Sequence, residues 1–198
     1  MNEKGVSIAV LTLDGEPTRQ VTGKPVITTT LAIRLVLDQA ATTAEAVRLL
    51  EDYDMSATGK RDYHFYITDA KGDGRIIEFD CHDKARRLVA TPVCAATNFF
   101  ELYKDKALPN QRNGIYGHGR ERYDIIEKIL AERKGRYTPE TAWQALQMAA
   151  QVPKEGDVTS NTQWSVVYND TKLTAEIAVR RDWSTITRYD LKSDHFFQ

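Results

Sequence analysis

Cysteine is nearly missing from this chain. Only Cys81 and Cys94 occur among 198 residues, and they lack any metal-ligand spacing such as C-x-x-C. Two cysteines without a secretory signal read as reduced thiols in an intracellular, cytoplasmic protein. An excess of one charge is missing too: 27 Lys and Arg stand against 28 Asp and Glu, a formal net charge of −1. A phosphate-binding surface usually shows as excess positive charge, so nucleic acid is excluded as an obligate partner. The cluster Lys84, Arg86 and Arg87 reads as a solvated strand end. No apolar run approaches the roughly 20 residues of a membrane span. No phosphate-cradling glycine loop and no supported Ser-His-Asp pattern occurs. Asp69 to Asp73 with two glycines has the wrong spacing for a calcium loop and reads as a hairpin turn. No cofactor and no metal are expected.

What is present is ordinary globular composition, 41% hydrophobic and 28% charged. The length suits a single domain over residues 1–198, able to bury roughly 70% of the surface its unfolded form exposes. Residues 5–13 are apolar on both strand faces, which predicts a strand covered on both sides and an unusually central one for a chain start. Residues 14–25, with two Gly and two Pro, predict a loop. The cluster Thr28, Thr29 and Thr30 predicts a capped helix start, with Leu31, Leu35 and Asp38 on one stripe widened by Ile33, Val36 and Leu37. Thr42 and Glu45 form a capping-box pattern opening a second helix, with Ala46, Val47, Leu49, Leu50 and Tyr53 inward.

From Asp62 the period becomes two, predicting a hairpin over residues 62–80, then strands near 87–90 and 93–97. Residues 99–117 read as a long loop, functional or mobile. Helices follow over 120–134 and from Pro139 to about 150, then a three-strand meander over 160–191. Segregated runs of strands and helices predict an α+β fold, and two strand groups split by helices suit a four-layer αββα sandwich.

Two stretches carry chemistry. Cys94-Ala95-Ala96-Thr97-Asn98-Phe99-Phe100 reads as a strand end delivering the Asn98 amide. Gly117-His118-Gly119-Arg120-Glu121-Arg122-Tyr123 reads as a glycine-flexed loop entering a helix with Arg122 in its first turn. An amide donor and a fixed cation suit a site that stabilises developing negative charge. The plainer alternatives stand beside this. Asn98 caps a turn, and Arg122 pairs with Glu121 or Asp124 through solvent for about 0–1 kcal/mol. His118 is a candidate for lining the site, Cys94 reads as a small buried hydrophobe, and His64 reads as solvent-facing.

These residues resemble a known family. Met1-Asn2-Glu3-Lys4-Gly5-Val6 is similar to the Asn-Glu-x-Gly-Leu stretch of the linear amide C–N hydrolases, the choloylglycine hydrolase family of bile salt hydrolases and penicillin V acylases. Thr97-Asn98 resembles its Thr-Asn strand end, and Glu121-Arg122-Tyr123 its Ser-Arg-Phe. Thr162-Gln163-Trp164-Ser165-Val166-Val167-Tyr168-Asn169 resembles the start of its C-terminal hairpin.

The resemblance implies an N-terminal-nucleophile fold of αββα type in which a terminal Cys attacks a linear N-acyl amide, a small-molecule substrate. Carried over by position, Asn98 is the oxyanion donor, Arg122 sits beside the nucleophile, and Thr12 falls where relatives place an oxyanion-hole residue. Thr12 replaces Asn or Tyr there, which leaves its backbone N–H as the donor. The family's Cys lies upstream of the Asn-Glu stretch, and neither Cys81 nor Cys94 matches it. The expectation is therefore of about the last two-thirds of the family domain, with Met1 an internal methionine, a fold incomplete at its N-terminus and no activity alone. The first strand would lie at a sheet edge and promote homo-oligomers. An acyltransferase of the penicillin-biosynthesis type and a non-catalytic acyl-binding module remain the alternatives.

Overall fold

A computed structural model describes residues 1–158 and 160–197. In chain order the elements are β1 (Val6–Leu13), β2 (Val26–Thr28), α1 (Thr29–Gln39), α2 (Thr43–Glu51), β3 (Asp54–Ser56), β4 (Asp62–Asp69), β5 (Gly74–Phe79) and β6 (Leu88–Pro92). A 3₁₀ segment (Glu101–Lys106), α3 (Arg120–Arg133), α4 (Pro139–Met148), β7 (Trp164–Asn169), β8 (Thr174–Val179), β9 (Ile186–Asp190) and β10 (His195–Phe197) follow. The chain divides within α3 into two compact units, Met1–Glu121 and Arg122–Gln198.

The first unit is built on a four-stranded antiparallel sheet in the order β1-β4-β5-β6. The period of two across β4 puts Phe65 and Ile67 on the face they share with Val6, Ile77 and Phe79. That face packs on Ala32 and Val36 of α1 and on Ala46, Val47 and Leu50 of α2. Each of the larger side chains there contributes roughly 1.5–3 kcal/mol on burial, more than the roughly 1 kcal/mol of a helix cap. Thr42 does cap α2, accepting from the Glu45 N–H at 3.2 Å, but the Glu45 carboxylate reaches back to the Ala41 N–H rather than to Thr42. Thr28 makes no side-chain cap bond.

Several expectations are corrected here. On α1 the inward residues are Thr29, Ala32 and Val36, while Leu31 is 59% exposed. The small side chains take the inward stripe and the large Leu31 turns out. β1 is not covered on both sides. It pairs only with β4, and Ala9 and Val10 at its centre are exposed, as befits an edge strand. The segment 93–97 is not a strand, since β6 ends at Pro92, and Cys94 is exposed rather than buried. His64 is buried rather than solvent-facing, because the 3₁₀ segment lies over its neighbour Glu78. The parallel pair β2 and β3, only three residues each, was not legible at all. It is fastened by Asp54, whose carboxylate accepts from the N–H groups of Thr22, Gly23 and Lys24 and from the Thr22 hydroxyl.

The second unit is an antiparallel meander in the order β10-β9-β8-β7. α4 starts as its sequence dictates, with Thr138 at the N-cap, Pro139 in the first position, and a reciprocal capping box with Thr141. Its Trp143 is buried and donates from Nε1 to the Glu176 carboxylate of β8 at 3.0 Å.

Candidate functional site

Asn98 lies just before a short antiparallel bridge between Phe99 and Gly117. The segment carrying it is zipped to the 116–119 loop. The Phe100 N–H donates to the Tyr116 carbonyl at 2.9 Å, the His118 N–H to the Asn98 carbonyl at 2.8 Å, and the Thr97 hydroxyl to the Gly119 carbonyl at 3.0 Å. Gly117 permits this approach. Its φ is +100°, and a Cβ there would stand 2.1 Å from the Asn98 carbonyl oxygen. No residue with a side chain fits that position.

So held, Asn98 turns its amide to the end of β1. Nδ2 donates to the Thr12 carbonyl at 2.9 Å and lies 3.4 Å from the Thr12 hydroxyl. The structure thus joins two of the three residues singled out from sequence. Thr12 meets Asn98 through its carbonyl, which accepts. An amide nitrogen carries two protons, so fixing one bond fixes the direction of the other. Arg122 belongs to the second unit, half-buried in the first turn of α3.

A cleft of about 390 Å³, lined by residues 13–15, residues 59–61 and Asn113, begins one residue after Thr12. Lys60 and Arg61 are exposed along it. Lys60 holds φ at +56°, uncommon for a residue with a side chain. Asp14, which also lines it, accepts from Nδ1 of His118 at 2.7 Å. His118 was singled out from its glycine-rich loop, whereas Asp14, Lys60 and Arg61 were missed. The one available signal was that Asp14-Gly15 follows directly on a strand.

The sheet carries buried charge. Asp62 is fully buried, bonded by Arg86 and by the Thr18 N–H at 3.1 Å and hydroxyl at 2.7 Å. Glu78 accepts from the N–H groups of Glu101 at 2.7 Å and Leu102 at 3.0 Å, with His64 Nδ1 at 3.2 Å. These networks tie loops to strands.

Burial pushes the Cys81 thiol above its ordinary value, which lowers the thiolate fraction. Next to it, burial pushes the Asp80 carboxyl up but is outweighed by the Tyr103 hydroxyl and the His82 N–H, which hold it below the usual range. Burial and the Asp80 charge together raise the Tyr103 hydroxyl. Cys94 is exposed on an irregular segment. Among the described residues, no group of three or more His, Cys, Asp and Glu side chains is placed to hold a metal ion. No described helix is long and apolar enough to cross a membrane.

A conjugated bile acid hydrolase variant from Clostridium perfringens shares the fold, with a TM-score of 0.73 at 14% identity, over 98% of this chain and 73% of that one. Penicillin V acylase from Agrobacterium tumefaciens gives 0.71 at 18% identity, over 97% of this chain and 65% of that one. At these identities the likeness shows the fold, the α+β fold of N-terminal-nucleophile hydrolases expected from the sequence. No curated protein matches the sequence. A family match runs through residues 1–182, and with the shared fold it is decisive: the chain belongs to the acyl-coenzyme A:6-aminopenicillanic acid acyl-transferase family.

Proposed function

We propose that this chain carries the charge-stabilising part of an acyl-amide site, one that cleaves the C–N bond of a linear N-acyl amide. In this reading a cysteine thiolate adds to the amide carbonyl and the oxygen becomes an oxyanion. The C–N bond then breaks with a proton delivered to the departing amine, leaving a thioester. Water releases the acid. Asn98 donates to the oxyanion, with the Thr12 N–H as a second donor, and Arg122 stands beside the nucleophile.

The observation that carries this reading is the Asn98 amide, fixed at 2.9 Å against Thr12, whose chain neighbour Leu13 lines a cleft. Preorganised donors of that kind cost no reorganisation when charge develops. The acyl-amide enzymes that share the fold support it.

In this reading the attacking thiol is not Cys81, whose thiolate is disfavoured by burial, and Cys94 does not match the family's nucleophile. We therefore propose that the 198-residue chain binds a linear N-acyl amide without turning it over. Calorimetry with a fatty-acyl amide or a phenoxyacetyl amide tests the binding, and an amine-release assay tests turnover. Heat of binding without amine release is the expected result. Steady, thiol-dependent amine release overturns the inactivity, and no binding of either amide overturns the acyl reading. The family match favours one second reading, transfer of the acyl group to an amine instead of water. Where turnover is observed, product analysis with and without an acceptor amine separates the two.

A further inference from the structure

Asp14 and His118 lie 104 residues apart in sequence, yet their side chains meet at 2.7 Å. A carboxylate only accepts, so Nδ1 of His118 carries the proton and donates. The side chains are 15% and 21% exposed, which makes this more than a solvated surface pair. The same His118 donates its backbone N–H to the Asn98 carbonyl at 2.8 Å. Asn98 in turn donates from Nδ2 to Thr12, two residues before Asp14. The bonds close a ring that runs Thr12, Leu13, Asp14, His118, Asn98 and back to Thr12. The loop fixes the backbone of Asn98, and the Asp14–His118 bond fixes the loop to the strand that orients the Asn98 amide.

We propose that Asp14 and His118 are positioning residues that set the direction of the Asn98 side-chain amide. The inference rests on reading Asn98 as the oxyanion donor, but its test does not require turnover. Without the pair, the Gly117–Gly119 segment keeps its bonds to Asn98 and loses its tie to β1. The amide is then free to turn from the Thr12 carbonyl while the sheet stays intact.

The experiment is nuclear magnetic resonance on the full chain labelled with ¹⁵N. The Asn98 side-chain signals are assigned by their loss in Asn98→Ser. In Asp14→Ala these signals shift toward those of a solvated amide, and exchange of the His118 backbone N–H speeds up roughly tenfold. Asp14→Asn keeps an oxygen acceptor and restores most of both effects, which a merely structural role does not explain. Signals from α2 and β5 stay in place. If Asp14→Ala does not fold, His118→Phe keeps the ring volume without Nδ1–H and carries the same expectation. Unchanged Asn98 signals in a folded variant overturn the proposal, as do equal shifts throughout the unit. Failure to bind any acyl amide while the Asn98 signals respond as expected overturns the proposed function and leaves the positioning role standing.

Discussion

The Asn98 amide reaches 86 residues back along the chain to donate to the Thr12 carbonyl at 2.9 Å. That bond makes a strand end and a loop into one arrangement, and its consequences are measurable. In any preparation of this family member that turns over an acyl amide, Asn98→Ala is expected to lower kcat by roughly 10²–10³, the usual effect of losing one oxyanion donor. A loss under tenfold removes Asn98 from that role. KM changes little, since the donor acts on charge that develops later.

Gly117→Ala tests the close approach that holds Asn98. The φ of +100° costs a side-chain-bearing residue roughly 1–3 kcal/mol, and the overlap with the Asn98 carbonyl adds to it. Urea denaturation is expected to show a lower midpoint with an unchanged slope. An unchanged midpoint shows that the loop shifts at no cost.

Arg86→Leu leaves the Asp62 carboxylate buried without its cation. Removing one partner of a buried pair typically costs about 3–5 kcal/mol. The residual bonds from Thr18 hold the loss toward the lower end. Thermal denaturation checks this, and a loss below about 1 kcal/mol assigns the pair to solvent-screened surface chemistry.

Asp69 predicts a response to acid. Burial pushes its carboxyl up, but the backbone N–H groups of Thr43, Lys71 and Asp73 outweigh that and hold it below the ordinary value. A depressed folded value contributes stability that is present above the unfolded value, about 3.9. That stability is lost as pH falls through the folded value. Urea midpoints measured from about pH 5 down to pH 2 are expected to fall less steeply in Asp69→Asn than in the native chain. Parallel curves refute the assignment.

The exposed centre of β1, with Val10 40% exposed, predicts association through the sheet edge. Sedimentation is expected to show a dimer or larger species, and Val10→Lys, which places a charge on that edge, to shift it toward monomer. A monomer at high concentration in the native chain removes the prediction.

Where the sequence was read correctly, the signal was local. The alternation from Tyr63 to Thr68 imposes a strand whatever surrounds it, and Thr138-Pro139 opens a helix because the hydroxyl and the fixed φ act within one turn. Where the reading failed, the deciding partner was distant. Leu31 and Val36 are equally apolar, and the sheet surface chose the face carrying Ala32 and Val36. His64 looked solvent-facing because nothing near it in sequence announces that residues 101 and 102 return to Glu78.

The sequence by itself determined the α+β class and the family, since periodicity, caps and motifs are written in neighbouring residues. Tertiary structure alone decided that Asn98 finds the Thr12 carbonyl, and that Asp14 and His118 meet 104 residues apart. Hydrogen bonds are short-ranged and directional, so which donor meets which acceptor is settled only when the sheet brings distant segments within 3 Å of one another.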